Sequence, residues 1–229
     1  MSLYASLMLI SFAGPFLLSF DKKVAFYKLW LPLFAGIFFN AVLFILWDAW
    51  FTRQGIWSFN NDYVWLFRLY DLPIEEWSFF FVVPYASVFI YACIKTYIKV
   101  DFIKPFQKFI QYFFILVSLF AIIFYSDKTY TLVNSIIALI LLLIHTYYLN
   151  KPYMSYFWVA YFIHLIPFFI VNGILTGMAT PNPVVIYNSH DIIGLRIVTI
   201  PVEDSIYALT CLLIPISIME AILEYKSKK

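Results

Sequence analysis

The chain has 229 residues, of which 64% are hydrophobic and 22% aromatic, while only 12% carry a charge. A water-soluble domain needs a larger share of charged side chains to cover its surface, so this composition predicts an integral membrane protein. The formal net charge of +2 is too small to indicate nucleic-acid binding.

Seven apolar stretches are long enough to cross the hydrocarbon layer of a bilayer, which is about 30 Å thick and takes about 20 helical residues. In chain order they lie at 3–20, 29–50, 74–98, 107–125, 131–149, 156–177 and 202–223. The first has no basic residues before it and no small-residue cleavage site after it, so we expect a retained helix and not a signal peptide. The sequence therefore predicts an all-α membrane protein with seven transmembrane helices.

Basic residues are unevenly divided between the two sides of these predicted helices. One side carries 11 lysines: Lys22, Lys23, Lys28, Lys95, Lys99, Lys104, Lys108, Lys151, Lys226, Lys228 and Lys229. The other side carries only Arg53, Arg68, Lys128 and Arg196. Because basic residues are enriched in cytoplasmic connections, we predict a protein of the cell membrane with its N-terminus outside and its C-terminus in the cytoplasm.

Two acidic motifs stand where a polar loop runs into an apolar stretch. They are Pro73-Ile74-Glu75-Glu76 and Pro201-Val202-Glu203-Asp204. An ionised carboxylate within the membrane costs about 2.5–3.5 kcal/mol, so acids in such places indicate a functional site. Adjacent helical residues point about 100° apart. We predict that Glu75 and Glu203 face inward as catalytic acids, with Glu76 and Asp204 as their catalytic partners.

The sequence leaves two questions about these acids open. The motifs could be ordinary helix starts, capped by Asp71 or Thr199, because carboxylates are also favourable near the positive end of a helix dipole. Arg68 and Arg196 lie a few residues before the motifs. A guanidinium close to an acid would keep that acid ionised, whereas burial alone would favour the neutral form.

The two motifs belong to a longer internal similarity. A shift of 128 residues aligns 40–80 with 168–208 without any gap. The polar and proline identities are Thr52 with Thr180, Asn60 with Asn188, Arg68 with Arg196, Pro73 with Pro201 and Glu75 with Glu203. Shared hydrophobicity does not produce such identities, so we predict two three-helix repeats, 1–98 and 129–229, joined by a connector helix in 99–128. A shift of four helices is even, so both repeats run the same way across the bilayer and hold the motifs at one depth.

Buried acids of this kind suit chemistry on a hydrocarbon. A neutral carboxylic acid can donate a proton, and protonation of an alkene gives a carbocation. Such a cation needs a dry site with aromatic faces, because water would trap it as an alcohol. Five aromatic residues near the motifs are predicted to supply these faces: Trp47, Trp57, Phe59, Trp77 and Tyr187.

The sequence contains no motif that predicts a metal or cofactor site. His145, His164 and His190 have no partner at ligand spacing, so no metal site is predicted. The chain contains no Gly-x-Gly, so no dinucleotide cofactor is predicted, although a requirement for a reduced flavin or nicotinamide stays open.

Five segments of the chain carry a resemblance to a known family. They are Trp47-Asp48, Pro73-Ile74-Glu75-Glu76, Asn172-Gly173-Ile174-Leu175-Thr176, Pro183-Val184-Val185-Ile186-Tyr187-Asn188 and Pro201-Val202-Glu203-Asp204. Together they resemble the lycopene cyclase domain of carotenoid synthesis, in its membrane-embedded type. That family includes members whose two halves are separate chains, which implies one composite site between the halves.

The resemblance implies that the linear ends of lycopene become β-ionone rings, through γ-carotene to β-carotene, without net redox change. It implies catalytic roles for the motif acids Glu75, Glu76, Glu203 and Asp204. With the aromatic residues, the expected substrate-binding set is Trp47, Trp57, Phe59, Asn60, Asn172, Thr176, Tyr187 and Asn188. The expected partners are lycopene and other linear carotenoids in membrane lipid. The ring type and the oligomeric state stay open, since related members form ε-type or other cyclic ends.

Two other functions fit a bundle of seven helices. Parallel three-helix repeats also build small-solute transporters, but these line the middle of the membrane with polar groups, and the predicted fourth and fifth helices are almost wholly apolar. A retinal-binding photoreceptor needs a lysine inside its last helix, and 202–223 contains none.

Overall fold

The computed structural model describes residues 1–99 and 101–229, and these form seven α-helices. The helices are α1 (Leu3–Leu18), α2 (Trp30–Gln54), α3 (Ile74–Tyr97), α4 (Gln107–Phe124), α5 (Thr129–Leu143), α6 (Tyr153–Leu175) and α7 (Glu203–Ser227). Short 3-10 turns, Phe26–Leu29 and Lys104–Phe106, precede α2 and α4, and Ile144–Leu149 continues α5 as a π-helix. The predicted helical class is confirmed.

Within the described residues, six helices are long and apolar enough to cross a membrane, namely those that include α2 to α7. Helix α1 is also apolar but has 16 residues. At 1.5 Å per residue it is about 24 Å long, which is shorter than a typical hydrocarbon layer. All seven predicted apolar stretches are therefore helices, and six of them have the length of a membrane span.

Four long helices, α2, α3, α6 and α7, form the middle of the bundle. Helix α2 packs against α7 and α3, and α6 packs against the same two helices. Helix α1 flanks α3, α5 flanks α7, and α4 packs on the outside of α5. The α1–α3 contact in the first half corresponds to the α5–α7 contact in the second, with each helix four places further along the chain. When α2 is likewise exchanged for α6 and α7 for α3, the α2–α7 contact corresponds to the α6–α3 contact.

The two ends of the bundle differ in their charged residues. One end, here called the acid end, contains the first turns of α1, α3, α5 and α7. At the opposite, lysine end, Lys95 binds Glu220 and Lys151 binds Glu224, each at 2.6 Å. The Nζ atom of Lys23 lies 4.0 Å from the centre of the Tyr97 ring at this same end.

Two long loops close the acid end. Strand β1 (Trp57–Phe59) of the first loop pairs antiparallel with β4 (Val185–Tyr187) of the second, so that Trp57 lies opposite Tyr187. The flanking hydrogen bonds are reciprocal. The N–H of Asn60 donates to the Val184 carbonyl at 2.9 Å, and the N–H of Asn188 donates to the Ile56 carbonyl at 2.8 Å. Asn60 and Asn188 lie 128 positions apart in the sequence, and so do Ile56 and Val184.

A short hairpin leads into each acidic motif. Strands β2 (Arg68–Leu69) and β3 (Leu72–Pro73) precede α3, and β5 (Arg196–Ile197) and β6 (Ile200–Pro201) precede α7. The expected helix caps are not formed. Asp71 instead pairs with Arg53 at 2.7 Å, and the hydroxyl of Thr199 is hydrogen-bonded to that of Thr176 at 2.7 Å. The cap positions of α3 and α7 are instead occupied by Pro73 and Val202, neither of which caps its helix with a side-chain hydrogen bond.

Candidate active site

A cavity lies at the acid end, between the two loops and the helix ends. Its walls come from both halves of the chain. The lining residues are Tyr4, Asp48, Trp57, Phe59, Glu76, Phe79, Tyr130, Phe168, Asn172, Leu175, Val185, Tyr187, Asp204 and Tyr207. Three carboxyl groups thus face one cavity that is otherwise mainly aromatic and aliphatic.

Glu76 and Asp48 form a pair on one side of the cavity. Glu76 lies in the first turn of α3 and Asp48 lies two turns from the end of α2, and both are buried. Their carboxyl groups are neighbours in a buried site, and the hydroxyl of Tyr4 donates to Glu76 Oε2 at 2.6 Å. Two bare carboxylates side by side would repel each other, so burial and proximity favour a proton shared by the pair. The pair can therefore hold one proton at the cavity wall.

Asp204 has a different environment on the other side of the cavity. The hydroxyl of Tyr130 donates to Oδ1 at 2.7 Å, while Asn172 Nδ2 and the Tyr187 hydroxyl donate to Oδ2 at 2.6 and 3.0 Å. Three donors on one carboxyl group favour its ionised form, whereas the burial of Asp204 favours its neutral form. Tyr187 lies on β4, where burial and then the charge of Asp204 raise its pKa well above the ordinary value. Its hydroxyl therefore remains a donor.

Aromatic rings enclose the space between these acids. The centre of the Trp57 ring lies 5.3 Å from that of Tyr130 and 5.9 Å from that of Tyr187. Tyr207 forms another wall, and Trp47 packs behind it at 5.4 Å. Rings in this position present electron-rich faces, which attract a cation by about 2 kcal/mol or more when water is excluded.

The prediction that Glu75 and Glu203 face inward is wrong. Glu75 Oε1 accepts hydrogen bonds from the Ser2 hydroxyl at 2.5 Å and from the N–H of Trp65 at 2.8 Å. Glu203 Oε1 accepts in the same way from the Thr131 hydroxyl at 2.7 Å and from the N–H of Ile193 at 2.6 Å.

The loop N–H groups explain this orientation. Trp65 and Ile193 lie 128 positions apart, as do Glu75 and Glu203. Each of these partly buried N–H groups needs an acceptor, and the first acid of each motif supplies it. The following residue then points about 100° away, so Glu76 and Asp204 face the cavity.

Four of the eight predicted substrate-binding residues line the cavity: Trp57, Phe59, Asn172 and Tyr187. Their part in substrate binding stays a prediction. The other four do not reach its surface. Asn60 and Asn188 accept the N–H groups of Asp62 and His190 in their own loops. The side chains of Thr176 and Trp47 do not line the cavity either.

Two of the side chains that miss the cavity have other contacts. Thr176 donates to the Asn172 carbonyl at 2.9 Å, at the end of α6. Trp77, which was predicted to supply an aromatic face, donates from Nε1 to the Leu69 carbonyl at 3.1 Å. Both residues therefore support the hairpins and helix ends around the cavity.

The arginines do not compete for the cavity acids. Arg68 donates to Asn61 Oδ1 at 2.7 Å and to the Asp71 carbonyl, and Arg196 donates to the Thr199 carbonyl at 2.5 Å. In the part of the chain that the structure describes, neither arginine forms an ion pair with Glu76 or Asp204. The sequence allowed a guanidinium to keep these acids ionised, but the described contacts of both arginines are with other groups.

Several residues of the cavity were not predicted. Asp48 carried a recognisable signal, because it is the only acid within the apolar stretch of α2, and ionisable residues inside membrane spans are functional candidates by default. Tyr4, Tyr130 and Tyr207 carried none, since the chain has 18 tyrosines and most of their positions look alike in sequence.

Comparison with known families gives one match that covers most of the chain. A family model described as lycopene cyclase matches residues 1–94 and 127–222. The unmatched segment between them includes α4 and coincides closely with the predicted connector. Comparison with curated proteins and with solved structures found no match. The alternative of a small-solute transporter has no support in these comparisons.

Proposed function

Because the chain belongs to the lycopene cyclase family, we propose that it converts the linear ends of lycopene into β-ionone rings, giving γ-carotene and then β-carotene. Family membership makes it an enzyme of carotenoid cyclisation; the ring type and the individual steps are our proposal. The observation that supports them is the cavity at the acid end, where the neighbouring carboxyl groups of Asp48 and Glu76 and the separately hydrogen-bonded carboxyl group of Asp204 line one space with aromatic walls.

The first step uses the proton held by Asp48 and Glu76. This proton adds to the terminal carbon–carbon double bond of lycopene, so that a C–H bond forms, the π bond breaks, and a tertiary cation results. The pair becomes fully ionised. Its second negative charge then lies beside the cation, which lowers the energy of the step in a site from which water is excluded.

In the second step the chain closes on itself. A neighbouring double bond of the substrate attacks the cation, a ring C–C bond forms, and the positive charge moves to a ring carbon. The faces of Trp57, Tyr130 and Tyr207 stabilise this charge without offering a nucleophile of their own.

Asp204 ends the reaction as the base. It removes a proton from the carbon next to the cation, and the C–H electrons form the ring double bond. One proton has been added to the substrate and one removed, so the product is an isomer of the substrate. The ring type depends on which hydrogen faces Asp204. Loss of the proton from the ring carbon that carries the polyene chain gives the β ring.

Glu75 and Glu203 have an indirect part in this proposal. Each fixes a loop over the cavity through a backbone N–H and orients the first turn of its helix. They are therefore positioning residues for Glu76 and Asp204, the next residues in the chain.

We also propose that the chain consists of two parallel repeats, 1–98 and 129–229, with 99–128 as the connector. The reciprocal hydrogen bonds at a spacing of 128 residues support this arrangement. The separation of the lysine end from the acid end supports an orientation with the N-terminus outside and the C-terminus in the cytoplasm of a cell membrane. The cavity would then lie near the outer face.

Expression in bacteria that accumulate lycopene tests the proposed function. Pigments extracted from these cells should contain γ-carotene and β-carotene in place of most of the lycopene. Detection of the protein in the membrane fraction is the control. Unchanged lycopene in cells with abundant membrane-bound protein would overturn the proposal, and ε-type rings would correct only the ring type.

A further inference from the structure

A second cavity adjoins the acid cavity and is almost wholly apolar. It shares the lining residues Phe79, Phe168 and Asn172 with the first. From these shared residues it continues toward the middle of the bundle between α3 and α6. We call it the α3–α6 groove.

The shape of the groove suits an extended chain. On α3 its wall consists of Phe79, Val83, Ser87 and Ile90, which lie on one helix face. The 11 residue steps from Phe79 to Ile90 correspond to about 16 Å along the helix axis. The groove thus runs along α3 for about this distance.

The polar atoms of the groove have partners within the protein. The Ser87 hydroxyl donates to the Val83 carbonyl at 2.6 Å and accepts from His164 Nδ1 at 2.9 Å. Asn172 donates its amide to Asp204. Because these bonds hold the polar side chains of the wall, the surface that remains for a ligand is largely hydrocarbon, which favours an apolar ligand without polar groups.

One side of the groove is open to the exterior of the bundle. Pro167 of α6 lines the groove and is exposed, and its neighbours Ile166 and Ile170 are 64% and 55% exposed. Because α3 and α6 have the length and composition of membrane spans, we expect bilayer hydrocarbon outside this opening, from which an apolar molecule can reach the groove sideways.

The corresponding position in the other half of the chain is closed. Ser87 and His164 correspond, at the spacing of 128 residues, to Pro215 and Gly36. A Cβ atom on Gly36 would lie 2.6 Å from the Pro215 carbonyl oxygen, so the backbones of α2 and α7 touch there. The hydrogen-bonded Ser87–His164 pair instead keeps α3 and α6 apart.

We propose that the α3–α6 groove binds the linear polyene chain of the substrate while its end is cyclised in the acid cavity. This inference rests on the proposed function, and the three wall residues that the two cavities share favour the remainder of the same molecule as the ligand. Since the equivalent position between α2 and α7 is closed, one substrate end is processed at a time. The second end enters by the same groove after the molecule has turned round.

Lycopene that co-purifies with the protein tests this proposal without requiring turnover. The Glu76→Gln variant, expressed in lycopene-accumulating bacteria, should retain lycopene because it cannot consume it. Adding Val83→Trp, which fills the groove, should lower the retained lycopene at least about fivefold. The matched control adds Val42→Trp at a side chain of α2 that is 45% exposed and should leave it unchanged.

The outcomes separate this inference from the proposed function. If the two double variants retained equal amounts of lycopene, or if neither retained any, the proposal that the groove binds the polyene chain would be overturned. If Val83→Trp does not reach the membrane, Ala86→Leu takes its place, since Ala86 also lines the groove. Failure of the proposed function would appear elsewhere, as wild-type protein that forms no cyclic product.

Discussion

Glu76 has two partners that define its chemistry, the carboxyl group of Asp48 and the hydroxyl of Tyr4. Neither partner is a cation, so no neighbouring positive charge opposes the shared proton that we propose for the two carboxyl groups. This distinguishes the pair from Glu224 at the lysine end, which accepts from Lys151 and Lys228 at 2.6 and 2.8 Å.

At the residue scale, we expect Glu76→Gln to lower the turnover of lycopene at least about 100-fold, because an amide keeps the shape of the side chain but cannot supply the proton. Conversion of lycopene in isolated membranes, followed by pigment chromatography, measures the effect. Glu224→Gln is the control and should retain wild-type turnover. Substantial activity in Glu76→Gln would remove this residue from the proton-donating pair.

Tyr130→Phe probes the carboxylate on the opposite side. The substitution removes one of three donors to Asp204 without changing the ring that lines the cavity. A hydrogen bond to a charged group contributes about 1.5–3 kcal/mol, and about 1.4 kcal/mol corresponds to a tenfold change in rate, so we expect turnover to fall about tenfold or more. Tyr147→Phe, at a side chain that is 61% exposed, should have no effect. An unchanged rate in Tyr130→Phe would show that this bond does not hold Asp204 for the reaction.

At the scale of elements, two loops and two helix starts are joined by the first acid of each motif. Glu203 connects α7 to the loop N–H of Ile193 and to the hydroxyl of Thr131 on α5. Glu75 makes the equivalent connections in the first half. Each acid therefore ties together three segments of the acid end.

Glu203→Ala should leave a buried N–H without an acceptor, which costs about 1–3 kcal/mol, and should lower the thermal unfolding temperature in detergent. Glu203→Gln keeps an acceptor oxygen, so we expect a smaller loss of stability and turnover within about tenfold of wild type. Paired measurements of unfolding temperature and turnover distinguish the two roles. If Glu203→Gln abolished turnover at an unchanged unfolding temperature, the acid would take part in the chemistry directly, as the sequence pattern first indicated.

The elements also show what could be predicted from the sequence. The length of the apolar stretches predicted the helices. The gapless similarity between the two halves predicted that both acidic motifs lie at one end of the bundle. The hairpins before them were not predicted, because their turns place Tyr70, Asp71 and Val198 at positive φ without any glycine to mark them. The inward acid was misassigned for a related reason: its direction depends on where a loop N–H lies, and periodicity contains no such information.

At the scale of the whole molecule, similar halves contribute different chemistry to one cavity. Asp48 of the first half corresponds to Thr176 of the second, and Asn172 of the second corresponds to Phe44 of the first. The first half thus supplies the carboxyl pair, and the second supplies a carboxylate with an amide donor. This asymmetry would separate the proton donor from the proton acceptor in a reaction that changes no oxidation state.

Deuterium uptake is the measurement that tests this account most directly. Wild-type protein in lipid vesicles prepared in heavy water should convert unlabelled lycopene into cyclic product that carries one deuterium for each ring, because the added proton comes from exchangeable acids and the removed one comes from the substrate. Mass spectrometry of the separated carotenoids reads this out. Cyclic product without deuterium would contradict proton-initiated ring closure by the carboxyl groups of the cavity.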